Sequence, residues 1–246
     1  MKQLGKHIGI LVMILIVTAS SCKKENRCDC FKRTGKIIKV TRGLVPFDRI
    51  QVEQNVNVFI TEAPKQEVTI EAGENIEPLI ETVVENGNLI IRNHNKCNWA
   101  RSYDEPLNVY ISTPGLKYIR SNCTGKITSL NTITVDTFDV QIENSGNIEL
   151  RVNSEKVTSH IYGAGDMILH GTTIEHACSI GGSSFLHAED LLTSYTWIQS
   201  YTTGLSYVHA TDHLISRIDD VGDVHCTGHP PVVTKSFNGK GQLYFE

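Results

Sequence analysis

The chain has 246 residues, 23 Lys+Arg against 27 Asp+Glu, a formal net charge of −4 and 40% apolar residues. That length suits one or two domains with a real core, and a pI near 6.2 excludes a general nucleic-acid binder, which needs a basic surface. Seven prolines and the lack of any low-complexity tract exclude a largely disordered chain.

Lys2 and Lys6 precede an unbroken apolar run at 8–17, and the small residues Thr18, Ala19, Ser20 and Ser21 then lead to Cys22. Ten apolar residues rise only about 15 Å as a helix, half of a bilayer core, so the run reads as a secretory h-region. A cysteine directly after small residues resembles the lipobox of bacterial lipoproteins, although Ala19 stands where a larger aliphatic residue is commoner. The expectation is a signal peptide at 1–21, lipidation of Cys22, and export to the cell envelope with the lipid as membrane anchor. Ordinary cleavage that leaves Cys22 as a bystander thiol is the alternative. Cleavage would leave 21 basic against 27 acidic residues.

Residues 22–45 are polar and read as the lipidated N-terminus and a tether. Cys28 and Cys30 lie in it, without a second pair at zinc-like distance. Export permits disulfides, yet the thiols are too sparse for a disulfide-built scaffold. Cys97 and Cys123 are the one plausible long-range pair. Cys178 and Cys226 read as inward-facing free thiols beyond disulfide reach of each other.

From 46 onward the signals are those of strands. The runs 50–52, 56–60 and 68–70 alternate apolar and polar residues. Asn86-Gly87 between 81–85 and 88–92 is the signature of a hairpin with a two-residue turn. From about 117 a repeat emerges. Gly125, Gly146, Gly165, Gly182, Gly204, Gly222 and Gly241 are spaced by 21, 19, 17, 22, 18 and 19 residues. Of the positions eight, six and four before and two and four after each glycine, 24 of 35 are apolar, against 11 of 35 at the interleaved positions. The first set therefore reads as inward. It includes Val157, Ile161, Met167, Leu169, Leu186, Ile198, Leu214, Ile218, Val224, Leu243 and Phe245.

A rung of about 19 residues cannot bury its own inner face, so rungs must stack at about 4.8 Å around a shared interior. The prediction is an all-β chain folded as a right-handed parallel β-helix (β-solenoid) over 46–246, with an N-terminal β-hairpin region. An antiparallel sandwich with evenly spaced turns is the alternative; propeller blades need about 40 residues.

The stretch PFDRIQVEQNVNVFITEAPKQEVTIEAGENIEPLIETVVENGNLIIR resembles the opening of the GIN-domain family, the head domain of auto-transporter adhesins. NSGNIEL, GAGDMIL, DVGDVHCTGHPPVV and NGKGQLYF resemble that family's Gly-x-Gly-Asp repeats and closing Gly-x-Pro turn. The signature is degraded at 180–182 and 202–204. The resemblance implies a right-handed β-helix on envelope proteins, often lipoproteins of the Bacteroidetes type, with no established activity and no catalytic residues to carry over.

Candidate chemistry is sparse. Asp219, Asp220 and Asp223 surround Gly222 and would suit Ca²⁺ or an acid pair, but acids flanking a turn glycine have an ordinary structural use. No nucleophile elbow, zinc-binding helix or P-loop is present. His170, His187 and His209 each follow a glycine by five residues and are expected to form a solvated outward column, its parallel side chains leaving no metal site. His176 is inward and reads as a hydrogen-bonded core histidine.

Ile168, Phe185, Tyr207 and Tyr244 share the third position after the glycine, with His225 between the tyrosines. Trp197 and Tyr201 occupy another outward face. The expectation is a non-catalytic binding or adhesion module without cofactor. Its binding face would be Phe185, Tyr207, Tyr244, His187 and His209, and its partner a surface glycan or an envelope protein. A polysaccharide lyase or hydrolase, and a structural envelope-assembly protein, are the alternatives.

Overall fold

The computed structural model describes residues 33–95 and 107–246. The leader, Cys22, Cys28, Cys30 and Cys97 lie outside the described residues.

Alternation dictates the architecture: one face of every strand is apolar and must be buried, and stacked rungs bury it jointly. The result is a β-solenoid of about seven turns with roughly 19-residue rungs. At its N-terminal end lie β1 (Ile37–Arg42), β2 (Arg49–Gln54), β3 (Asn57–Glu62), β4 (Glu67–Gly73), β5 (Ile80–Glu85), β6 (Asn88–Asn93) and β7 (Asn108–Thr113). β1 falls inside the stretch read as tether. It pairs antiparallel with β4, and Arg42 bonds the Glu77 carboxylate and the Ile80 carbonyl, so part of that stretch packs on the strands that follow. β5 and β6 form the expected hairpin, with Asn86 and Gly87 at φ 51° and 75° as a two-residue primed turn requires.

β8 (Tyr118–Cys123) and β9 (Ile127–Ser129) continue the chain. Here rung order departs from chain order. β2 pairs in parallel with both β6 and β8, and β3 with both β7 and β9. The first rung made is thus sandwiched between the second and the third. β4 closes β7, and β5 closes β6, in antiparallel fashion, which seals this end of the stack.

Below it the rungs follow in order: β10 (Ile133–Thr134), β11 (Thr137–Ile142), β12 (Ile148–Ile161), β13 (Met167–Gly182), β14 (Leu186–His187), β15 (Leu191–Thr202), β16 (Ser206–His209), β17 (His213–Ile218), β18 (Val224–Thr227), β19 (Val232–Phe237) and β20 (Leu243–Phe245). All pairings among these are parallel. One sheet comprises the first halves of β12 and β13 with β14, β16, β18 and β20. The other comprises β11, the second halves of β12 and β13, and β15, β17 and β19.

The inward set is buried from Val157 to Val224, with Leu169, Leu186 and Ile218 at 0% exposure. Leu243 and Phe245 depart from it: among the described residues no strand pairs with the far side of the last rung, and Phe245 is 46% exposed. Cys123, Cys178 and Cys226 are buried free thiols, so Cys123 carries no disulfide. His176 is fully buried and shares a 2.9 Å hydrogen bond with Ser159 Oγ. Desolvation lowers its pKa from 6.5 to about 4.

The repeating corner has a steric cause. A Cβ on Gly125, Gly146, Gly165, Gly204, Gly222 or Gly241 would overlap the carbonyl oxygen of the corner residue on the preceding rung. Between Gly165 and Gly204 the corner is Ser184, not Gly182, since Gly204 meets the Ser184 carbonyl. Ser184 is buried and its hydroxyl donates to the Gly163 carbonyl at 2.8 Å. Gly182 lies two residues early.

Candidate functional site

That two-residue displacement reassigns the outward columns. With Ser184 as the corner, the third position after it is His187. The ladder register runs Glu149, Ile168, His187, Tyr207, His225, Tyr244. His187 and Tyr207 stack at 5.3 Å between centroids, Tyr207 and His225 at 4.8 Å, and His225 and Tyr244 at 5.1 Å. Interplanar angles are 9°, 27° and 27°. Four rings on four consecutive rungs therefore form one continuous stack.

Carboxylates flank it. His225 Nδ1 lies 2.6 Å from Glu246 Oε1, and His187 Nδ1 lies 3.6 Å from Glu189 Oε1. The same column extends back through Thr128 to Phe59 and Tyr110, whose rings stack at 5.2 Å. That second ring pair went unpredicted, because chain order and rung order disagree there.

Tyr207 and Tyr244 occupy the expected column. Phe185 does not; it sits one residue after the corner, where its N–H donates to Asp166 Oδ1 at 3.2 Å. His209 belongs to a different column, paired with Thr227, and its Nδ1 accepts the Thr193 N–H at 3.1 Å. It fastens a turn. His170, His187 and His209 consequently make no single histidine column.

The acids have structural work. Position one after the corner holds Asn147, Asp166 and Asp223, whose side-chain oxygens accept the N–H groups of Asp166, Phe185 and Gln242 on the next rung. The Asp of the Gly-Asp repeat is thus a cross-rung cap. Asn238, Gln199 and Arg217 donate to Asp219 and hold its carboxyl below the usual range. A general acid needs the opposite shift. Among the described residues no three His, Cys, Asp or Glu side chains converge as metal ligands.

Trp197 and Tyr201 project outward from β15, as expected, and the Tyr201 ring lies over Gly181. Rungs bearing Trp197 and Tyr201 belong to the other sheet, away from the ladder register.

The family model described as "Putative auto-transporter adhesin, head GIN domain" matches residues 46–230. No curated protein matches the chain. Among solved structures, a "putative adhesin" from Bacteroides fragilis NCTC 9343 is 23% identical with a TM-score of 0.80, covering 86% of this chain and 97% of that one. A "putative adhesin" from Parabacteroides distasonis ATCC 8503 is 21% identical with a TM-score of 0.67, covering 86% and 98%. A "putative lipid binding protein" from the same strain is 19% identical with a TM-score of 0.67, covering 86% and 97%. At these identities the likeness is one of fold.

Proposed function

The chain belongs to the family of auto-transporter adhesin head GIN domains, and from that premise we propose that it is a non-catalytic binding module of the cell envelope, exported and held to the membrane by a lipid on Cys22. Adhesin-type membership favours an exported or surface-associated protein. The leader pattern at 1–21 supports the anchor, which mass spectrometry of the mature N-terminus tests directly. An acylated Cys22 is expected, together with release of Cys22→Ala from membranes; an unmodified N-terminus elsewhere removes the anchor from the reading.

One observation carries the binding role: the continuous stack His187–Tyr207–His225–Tyr244 on an outward face. Its rings spend their faces on one another, so what they offer outward is edges, namely imidazole nitrogens and phenol hydroxyls beside Glu189 and Glu246. Between the stacked rings a sugar ring has no room, which leaves only the outer face of Tyr244 open. The arrangement favours a polar partner rich in hydrogen-bond donors, for which an envelope protein is the better fit of the two classes. The acids used as turn caps give the glycan-active enzyme reading no acid–base pair.

The test is a Tyr207→Ser/Tyr244→Ser variant with unchanged circular dichroism, compared with wild type for binding to purified envelope fractions. Loss of binding is expected. Binding equal to wild type moves the recognition surface elsewhere.

A further inference from the structure

The ladder has a counterpart on the second sheet whose rings behave differently. Tyr195 and Trp197 are two apart on β15 and both point outward, 49% and 37% exposed. Cross-rung neighbours of Tyr195 are Glu175 and His213; those of Trp197 are Ala177 and Ile215. Only the His213 imidazole aligns with Tyr195 and no ring aligns with Trp197, and among the described residues neither ring stacks on another. Their faces are free. The Tyr195 hydroxyl and Trp197 Nε1 also make no hydrogen bond among the described residues, and His213 Nε2 is buried without a partner.

These side chains border an open surface cleft of about 160 Å³ lined by Glu175, Tyr195, Thr196, Trp197, His213 and Ile215. Pockets for drug-sized ligands run to roughly 300–1,000 Å³, so this one takes a single small ring. Beyond Trp197 the column continues through Ala177 and Thr158, small residues over which a chain of rings can lie.

A pyranose has an apolar C–H face and a rim of hydroxyls. An exposed aromatic face flanked by a carboxylate, an imidazole and an indole N–H answers both. A nucleic-acid strand would also stack, but it needs a basic groove. Here no Lys or Arg lines the cleft, and Lys156 on the adjoining rung is engaged by Glu175 at 2.6 Å. We propose that the cleft around Tyr195 and Trp197 is a binding site for an uncharged pyranose oligosaccharide. It lies on a different sheet from the ladder and does not depend on the ladder's role.

The chain has two tryptophans, Trp99 and Trp197, so Trp99→Phe leaves Trp197 as sole reporter. The full chain, in a detergent without a sugar headgroup, is titrated into the millimolar range with cellotetraose, chitotetraose and mannotetraose. A saturable change in Trp197 emission with at least one of them is expected. Tyr195→Ala should weaken that affinity about tenfold or more, whereas Lys65→Ala, in an exposed ion pair with Glu67, should leave it unchanged. Saturation-transfer NMR on Trp197→Ala, checked for folding by circular dichroism, should show the sugar signal lost. A flat response to all three sugars overturns the proposal, as does a saturable response that survives Tyr195→Ala.

Discussion

The middle rungs and the last rung obey one pattern and meet different fates. On β12 and β13 each inward side chain has a rung on either side, and Val157, Ile161 and Leu169 are wholly buried. β19 and β20 keep the alternation, yet every residue of β19 is exposed, with Val233 and Phe237 each at 39%. Register position thus decides direction, while burial depends on the neighbouring rung. The N-terminal end solves the same problem with antiparallel strands laid over the stack. The C-terminal end has Lys235 at a position aligned with inward Ser216, its ammonium 5.7 Å from the Phe237 ring. A charge there discourages another strand from adding to the open edge.

Substitutions along one inward register sharpen this contrast. Leu169→Ala, in a middle rung, should lose about 2–5 kcal/mol in denaturant unfolding, because the sealed stack cannot collapse around the void. A loss under about 1 kcal/mol would show that middle rungs are as loose as the last.

Acid probes the same interior. The unfolded His176 imidazole takes its proton near 6.5 and the folded one only near 4. Between those values the unfolded state binds more protons, so stability is full above pH 6.5 and falls as pH drops toward 4, by about 3 kcal/mol in all. Melting temperature against pH should show this slope in wild type and a flatter one in His176→Gln. Equal slopes would mean the imidazole reaches water.

At the open end the same chemistry should matter less. Phe237→Ala should cost about 1 kcal/mol or less, given its partial exposure, by the same unfolding measurement. A cost matching Leu169→Ala would mean that something covers β19. The smallest effect belongs to the outside: Glu149→Ala removes an exposed ion pair with Lys126 and should stay within about 0.5 kcal/mol. A larger change would undo the assignment of inside and outside.

Much of this was legible before any coordinates. Alternation marked the inward set, Asn86-Gly87 marked the hairpin, and Tyr207, His225 and Tyr244 were already in one column. What failed was register by two. Counting from Gly182 where the corner is Ser184 leaves each side chain on its proper face, since strands repeat every two residues. It nevertheless shifts the column sideways, which brought in Phe185 and grouped His187 with His209. The clue was arithmetic: Ser184 restores intervals of 19 and 20 residues where Gly182 gives 17 and 22. The place of β2 and β3 between later rungs had no such clue, because local sequence does not record which neighbour a parallel strand takes. The Tyr195 cleft escaped for a related reason: it depends on Glu175 and His213 flanking Tyr195 on neighbouring rungs, a cross-rung fact.

The ladder also has a mechanical consequence. Hydrogen bonds between rungs point along the solenoid axis, so a pull on a chain end peels rungs singly, each interface yielding before the next is strained. A partner seated on His187, Tyr207, His225 and Tyr244 would grip four rungs at once. Tension entering there is divided among several strands in parallel, which turns a stack that unravels easily from its tip into one that resists being torn from its side.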